Sequence, residues 1–475
     1  MKSILLIVLA VFLMLSLVGC TVNFQEFYGT ETTPSFRPNP KTTSHPTNNK
    51  IVPDLQESEV DNLTYSQLTL EQCLDIAVKN NPGIAQKQWD TKTALAEKDI
   101  AKGALWPTIY AEGGYEHYRD DRLIKPRRLG DRSVLQFADD LISGDIVLTM
   151  PLYTGGRLQN QVKAAELLAK STQQRLAYSR TELVFNVSSV FYSILGQREV
   201  INSLLFSQET LQEHHKRTND LMKAQKAARV DLLRTDVRLA DIEQKLLREH
   251  NVLDIQKFVL ASLLGCDVET KAVDIQGQLK LGNIPTGLDR GLTVALTHRQ
   301  DYQSLASRVS AQHKRLDVAK AERLPEVSFR ASYGSRWDSD NFDEDNEVGS
   351  VGIFAEIPLF EGGRIGARIR REHNRLRAQE EALRKLKLQI QLEVETATSN
   401  IESTRARVGV TQKAIEQAEE SLRIEREKYD LGKGAIVDVL DAQSALLDSQ
   451  MNYYRALAEY NTAIAQFHLA VGETQ

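Results

Sequence analysis

One heptapeptide is written twice in this chain, and that repetition constrains the fold more than any other feature. Pro151-Leu-Tyr-Thr-Gly-Gly-Arg157 returns as Pro358-Leu-Phe-Glu-Gly-Gly-Arg364, 207 residues further on. The same offset carries Lys226 onto Lys433, Val230-Asp231 onto Val437-Asp438 and Gly265 onto Gly472. An offset that holds from Pro151 to Gly265 admits no insertion, as expected where long helices must keep register. Upstream, Leu105-Trp106-Pro107 and Arg323-Leu324-Pro325 correspond at an offset of 218. A chain of 475 residues would ordinarily divide into about three domains. The repeat replaces that division with two copies of one unit, 69–265 and 292–472, joined by 266–291.

Proline shows where the helices run. Of twelve prolines, none falls in 152–284 or 359–475. Within the second stretch Leu446, Tyr453, Tyr460 and Phe467 recur every seven residues, facing small side chains at Ala442, Ser449, Ala456, Ala463 and Ala470. Large against small at steps of three and four describes a knobs-into-holes seam. Glu, Lys and Arg cover the other faces, as from Arg370 to Lys387. The spacing predicts long helices over 157–224 and 364–429, each roughly 100 Å at about 1.5 Å per residue. Shorter helices are expected over 231–264 and 438–471, and over 69–105 (kinked near Pro82) and 292–323. A return helix and an ascending helix would then stack end to end beside each long one.

Four segments alternate instead. Apolar residues take every second position in Ile109, Ala111, Gly113, Tyr115; in Ile146, Leu148, Met150, Leu152; in Val327, Phe329, Ala331, Tyr333; and in Val351, Ile353, Ala355, Ile357, Leu359. Period two places each set on one face. Segments of about ten residues suit transmembrane strands with the apolar face to lipid, and they also suit a soluble sandwich. Four strands cannot close a membrane barrel, for which about eight is the minimum. If they span a bilayer, the barrel is shared between chains. The expected fold class is an α+β membrane protein: long antiparallel coiled-coil helices plus four transmembrane β-strands per chain.

Lys2 precedes an apolar run, Ile4 to Val18, too short for a membrane span. It ends in Leu17-Val18-Gly19-Cys20, which resembles a bacterial lipobox; an ordinary signal peptide with an incidental cysteine is the alternative. The resemblance implies a signal over 1–19 and a lipid on Cys20. Thr21, where Asp would mark inner-membrane retention, directs the anchored chain to the outer membrane. Residues 20–68 hold five prolines among many Thr, Asn and Ser, and read as a lipid-anchored linker. Cys73 and Cys266 either pair or remain as two buried thiols, and their spacing shows no metal ligation. A net charge of −5 disfavours nucleic acid. Nine histidines are scattered without an H-E-x-x-H pair, and Gly362-Gly363-Arg364-Ile365-Gly366 lacks the G-x-G-x-x-G pattern. No enzyme, metal or cofactor is expected beyond the lipid on Cys20.

The run Lys428-Tyr429-Asp430-Leu431-Gly432-Lys433-Gly434-Ala435-Ile436-Val437-Asp438-Val439-Leu440-Asp441-Ala442, with the paired P-L-[YF]-x-G-G-R junctions, resembles the TolC family of outer-membrane efflux and secretion ducts. The resemblance covers about 69–472. It implies a homotrimer with a twelve-stranded barrel continued by a twelve-helix periplasmic tunnel. It also implies a periplasmic adaptor protein and an inner-membrane transporter as partners. The turns around Lys226–Arg229 and Gly432–Ala435 would be the tips that meet them, with Lys226, Arg229, Gly432, Lys433 and Gly434 in contact. Asp438 and Asp441 share a helix face. By resemblance they ring the threefold axis as a cation-attracting gate, with Asp231 as the counterpart of Asp438; as acids near a helix N-terminus they also answer the helix dipole. Six basic residues between Arg119 and Arg132 and six acids between Trp337 and Glu347 are expected in loops outside the cell, able to pair across the exit. The alternative function is a non-pore structural or adaptor coiled-coil lipoprotein of the periplasm.

Overall fold

A reciprocal cap starts the folded body. The Gln72 N–H donates to Thr69 Oγ1 at 3.4 Å and the Thr69 N–H to Gln72 Oε1 at 2.9 Å, satisfying two otherwise unpaired helix-end donors. The computed structural model describes residues 67–124, 137–225, 228–266, 273–285, 291–338 and 347–473. In chain order these form α1 (Leu70–Asn80), α2 (Pro82–Gly103), β1 (Thr108–Leu123), β2 (Phe137–Tyr153), α3 (Arg157–Lys223) and α4 (Arg229–Leu264). The second copy follows as α5 (Gly291–His298), α6 (Gln300–Ala321), β3 (Glu326–Asp338), β4 (Glu347–Glu356), α7 (Arg364–Asp430) and α8 (Ile436–Val471). The long helices α3 and α7 have 67 residues each and the return helices 36 each. Their bounds keep the 207-residue offset at every end. Each long helix starts behind two glycines in the left-handed region, Gly155 and Gly156 at φ 61° and 83°, Gly362 and Gly363 at 57° and 79°. Side chains disfavour that region, so the doubled glycine of the heptapeptide has a backbone cause.

The ascending segments depart from expectation. Neither 69–105 nor 292–323 is one helix: the first breaks at Asn81 and the second at Arg299, 218 residues apart. At the first break Pro82 opens α2, and Asn81 Oδ1 accepts from the N–H groups of Gly83 (2.9 Å) and Ile84 (3.2 Å). Asn81 Nδ2 donates to the Leu263 carbonyl at 2.9 Å, fixing the end of α4 at this break. The second break has Gln300 where the first has Pro82, so no proline announces it. Arg299, 1% exposed, holds it instead. Its guanidinium donates to both Asp301 oxygens (3.1 and 2.7 Å), to Glu393 on α7 and to the Ala470 carbonyl at the end of α8 (3.3 Å). It also stands over the Tyr178 ring of α3. Thus α2 continues α4 and α6 continues α8, while α1 and α5 splay off as short side elements. The helices lie in the order α4, α3, α8, α7 toward the tips, and α2, α3, α6, α7 toward the sheet.

Two apolar cores meet where the breaks lie. Val187, Ile194, Leu204, Leu260 and Leu264 centre one, and Ile390, Ile401, Tyr460 and Phe467 the other. The segment 273–285 straps across them: the Leu68 N–H donates to the Asp274 carbonyl, the Gln276 N–H to the Leu68 carbonyl, and Asn461 Nδ2 to the Lys280 carbonyl. Leu68, placed by sequence in the linker, is therefore part of the body. Cys73 is buried and unpaired and Cys266 is partly exposed and unpaired. Burial pushes the Cys73 thiol up to about 12, so it is an inert core thiol. Cys20 and nearly all of the linker lie outside the described residues.

The four strands form one antiparallel sheet in the order β1-β2-β3-β4. Register, rather than strand order, decides its faces. Ile109 pairs with Leu148, Leu148 with Ala331, and Ala331 with Val351; Ala111 pairs with Ile146, and Ile146 with Tyr333. The apolar sets of all four strands therefore share one face. That face is bare: Ile109, Ile146, Val351 and Ile353 are 60–76% exposed. The other face carries Tyr110, Val147, Ser332 and Ser350 in register and an Arg336–Asp145 ion pair at 2.8 Å. Three details correct the sequence reading. β1 and β2 run 16 and 17 residues, not about ten. Arg119 and Arg122 lie on β1 instead of in a loop, and β4 ends at Glu356, short of Ile357 and Leu359. Asp338 likewise ends β3 and Glu347 opens β4, and the other residues of the proposed charged pair of loops, within 125–132 and 340–345, lie outside the described residues. Among the described residues no helix is long and apolar enough to cross a membrane.

Candidate functional site

The two hairpin tips are built alike from different residues. After α7, the Gly432 N–H donates to the Tyr429 carbonyl (2.9 Å) and the Lys433 N–H to the Lys428 carbonyl (2.8 Å), with Gly432 at φ 68°. After α3, the Gln225 N–H donates to the Met222 carbonyl (2.9 Å), and Gln225, 207 residues before Gly432, takes φ 59°. A glutamine thus does in the first copy what a glycine does in the second. Gly434 is not in the left-handed region; a Cβ there would stand 3.0 Å from Lys428 Cβ and 3.2 Å from Tyr429 N. Its role is close approach to α7. Arg229 and Lys433 are exposed at the two tips, and Lys226 lies outside the described residues.

The acids near the tips are not bare within the chain. Asp438 Oδ2 accepts from the Ala435 N–H at 3.4 Å, capping α8. Asp441 Oδ1 accepts from Arg238 Nη2 at 2.9 Å, joining α8 to α4. Asp231 stands 3.9 Å from Arg234, one turn on. The structure brings Asp438 and Asp441 to one exposed stretch of α8, while Asp231 opens α4. Between α4 and α8 runs a cleft of about 590 Å³ lined by Val230, Leu233, Val237, Arg238, Leu440 and Asp441. Sequence reasoning missed Arg238: its partner is 203 residues away, and no motif ties them.

A chain with two helical hairpins and a sheet bare on its apolar face suits a conduit. The family model described as "Outer membrane efflux protein" matches residues 73–266 and 292–473, most of the chain. The chain belongs to the outer membrane efflux protein family. As such it is an outer-membrane efflux or secretion channel protein and not an enzyme. It is 20% identical over 404 residues to the outer membrane protein TolC of Vibrio cholerae, covering 83% of this chain and 89% of the relative. The alkaline protease secretion protein AprF of Pseudomonas aeruginosa is 21% identical, over 84% of this chain and 83% of its own. Among solved structures, the outer membrane protein VceC of Vibrio cholerae superposes with a TM-score of 0.74 at 18% identity, covering 85% of this chain and 96% of that one.

In this efflux-family protein a second feature near the tips escaped sequence reading. His214 on α3 meets Tyr429 on α7, ring centroids 5.6 Å apart. Arg217 pairs with Asp430 at 2.8 Å beside them. Burial, then Arg217 and Arg426, hold the His214 imidazole below its ordinary range, with Asp430 opposing. Tyr429 belongs to the run that carried the family resemblance; its partner on α3 carries no such signature.

Proposed function

We propose that this protein is the outer-membrane exit duct of a tripartite efflux or type I secretion system. It conducts passively what an inner-membrane transporter delivers through a periplasmic adaptor. The observation that carries the reading is the sheet: four strands, two open edges at β1 and β4, and an exposed apolar face. Exposed apolar residues on the outermost helices, Val237, Leu247 and Phe258 on α4 and Leu388, Leu392 and Val410 on α7, support assembly with further copies. Three chains supply twelve strands and twelve tunnel-forming helical rows, a homotrimer. The lipid on Cys20 anchors the linker in the outer membrane, and the tips with Arg229, Gly432, Lys433 and Gly434 receive the adaptor or pump. Asp438 and Asp441 gate the periplasmic entrance, with Asp231 beside them, and the Arg238–Asp441 bridge ties the two hairpins of one chain together.

Planar-bilayer recording on the purified full-length protein tests this. Discrete ion-conducting steps are expected, and Asp438→Ala with Asp441→Ala should raise conductance and weaken block by divalent cations. The same preparation should show a lipid on Cys20 by intact mass. A lipoprotein that never conducts would support the non-pore adaptor reading instead.

A further inference from the structure

His117, Asp139 and Asp140 share no ligand spacing in the sequence; the pairing of β1 with β2 joins them. His117 stands opposite Asp140, the last pair before the register shifts. Its Nδ1 lies 2.7 Å from Asp140 Oδ1, and the Tyr115 hydroxyl donates to the same oxygen at 2.6 Å. Strict alternation would send Asp139 to the opposite face from Asp140. Yet ligand atoms of His117, Asp139 and Asp140 all lie within 4.8 Å of one another. The irregularity accounts for this. From His117↔Asp140 to Arg122↔Ala138, β1 advances further than β2, which is a bulge, and a bulge twists the strands and re-aims side chains. Asp139 makes no hydrogen bond or ion pair among the described residues, and Arg122 is turned onto the Tyr118 ring.

We propose that His117, Asp139 and Asp140 bind a divalent transition-metal cation of the zinc class at the outer end of the barrel wall. One imidazole with carboxylates suits zinc-like ions, whereas magnesium and calcium favour oxygen-only sets. The 2.7 Å His117–Asp140 contact and the facing Asp139 place three donors around one small volume, and an ion there would relieve the repulsion of two adjacent carboxylates. The Tyr115 hydroxyl holds the Asp140 carboxylate through Oδ1, which leaves Oδ2 for an ion, and such outer groups commonly orient metal ligands. His117 and Asp140 have the phase of Ile109 and Ile146, and they lie beyond Tyr115 and the Ile142–Trp337 pair. That places them just outside an aromatic border of the apolar band, a location that rests on the duct reading, whereas ion binding itself does not.

The test is calorimetric titration of ZnCl2 into the full-length protein in detergent, at neutral pH. One ion per chain is expected, with affinity falling about tenfold in Tyr115→Phe and further in His117→Ala and in Asp140→Asn. Equimolar MgCl2 should not displace it. Absence of saturable zinc binding, or binding unchanged by His117→Ala, would overturn the proposal. Displacement by magnesium at equal concentration would overturn the zinc class. Bilayer recording reads the duct separately: a non-conducting protein that still binds zinc through His117 would sink the duct and leave the site.

Discussion

Gln225 and Gly432 hold the same left-handed turn in the two hairpins, at φ 59° and 68°. A side chain there costs about 1–2 kcal/mol, part of which glycine returns through its freer unfolded chain. Gln225→Gly should therefore stabilise the first tip by about 0.5–1 kcal/mol and Gly432→Ala should destabilise the second by about 1 kcal/mol. Hydrogen exchange of the tip amides would show both, with opposite sign. Arg299 poses the larger stake. Replacing it with Met leaves Asp301 and Glu393 without their shared buried cation, a loss of about 3 kcal/mol or more. Arg299→Lys should recover little of it, because a point charge cannot reproduce the fork that reaches Asp301, Glu393 and Ala470 together. The thermal midpoint of the detergent-solubilised protein measures this. Neither residue was legible beforehand: Gln225 is no turn former, and Gln300 stands where Pro82 marked the other break.

At the scale of elements, the contact of α3 with the last turn of α7 near the tips, His214 with Tyr429, should respond to acid. His214 is depressed from its usual 6.5 by burial, Arg217 and Arg426, with Asp430 acting against them. A base whose folded-state titration lies lower than its unfolded one stabilises the fold fully above the unfolded value. That stability is lost as pH falls through the window below 6.5. Exchange protection of α3 around His214 should weaken between pH 7 and pH 5, and His214→Gln should flatten the dependence. What the sequence could show of the elements was their periodicity. Strand phase, the glycine pair before each long helix and the 207-residue offset of α3 and α4 with α7 and α8 all follow from local spacing. Three features depend on long-range pairing that no spacing encodes: the bulge in β1, the Arg238–Asp441 bridge, and the splay of α1 and α5 at the breaks. The site was legible to the same extent. The glycine of one tip and the acids of α8 could be named from their motif, while the groups that hold them could not.

On the scale of the whole molecule, an open sheet governs everything. Residues 109, 146, 351 and 353 present apolar side chains to the outside, and among the described residues β1 and β4 each keep an unpaired edge, which an isolated chain in water would have to cover. In the proposed duct a membrane covers the face, and identical neighbours cover the edges. Closure requires at least two copies, and the outermost helices α4 and α7 offer the matching apolar surfaces below. Native mass spectrometry of the full-length protein released from detergent counts the chains directly. A particle of three chains is the predicted result; a single chain, stable and folded, would contradict the shared barrel and with it the duct.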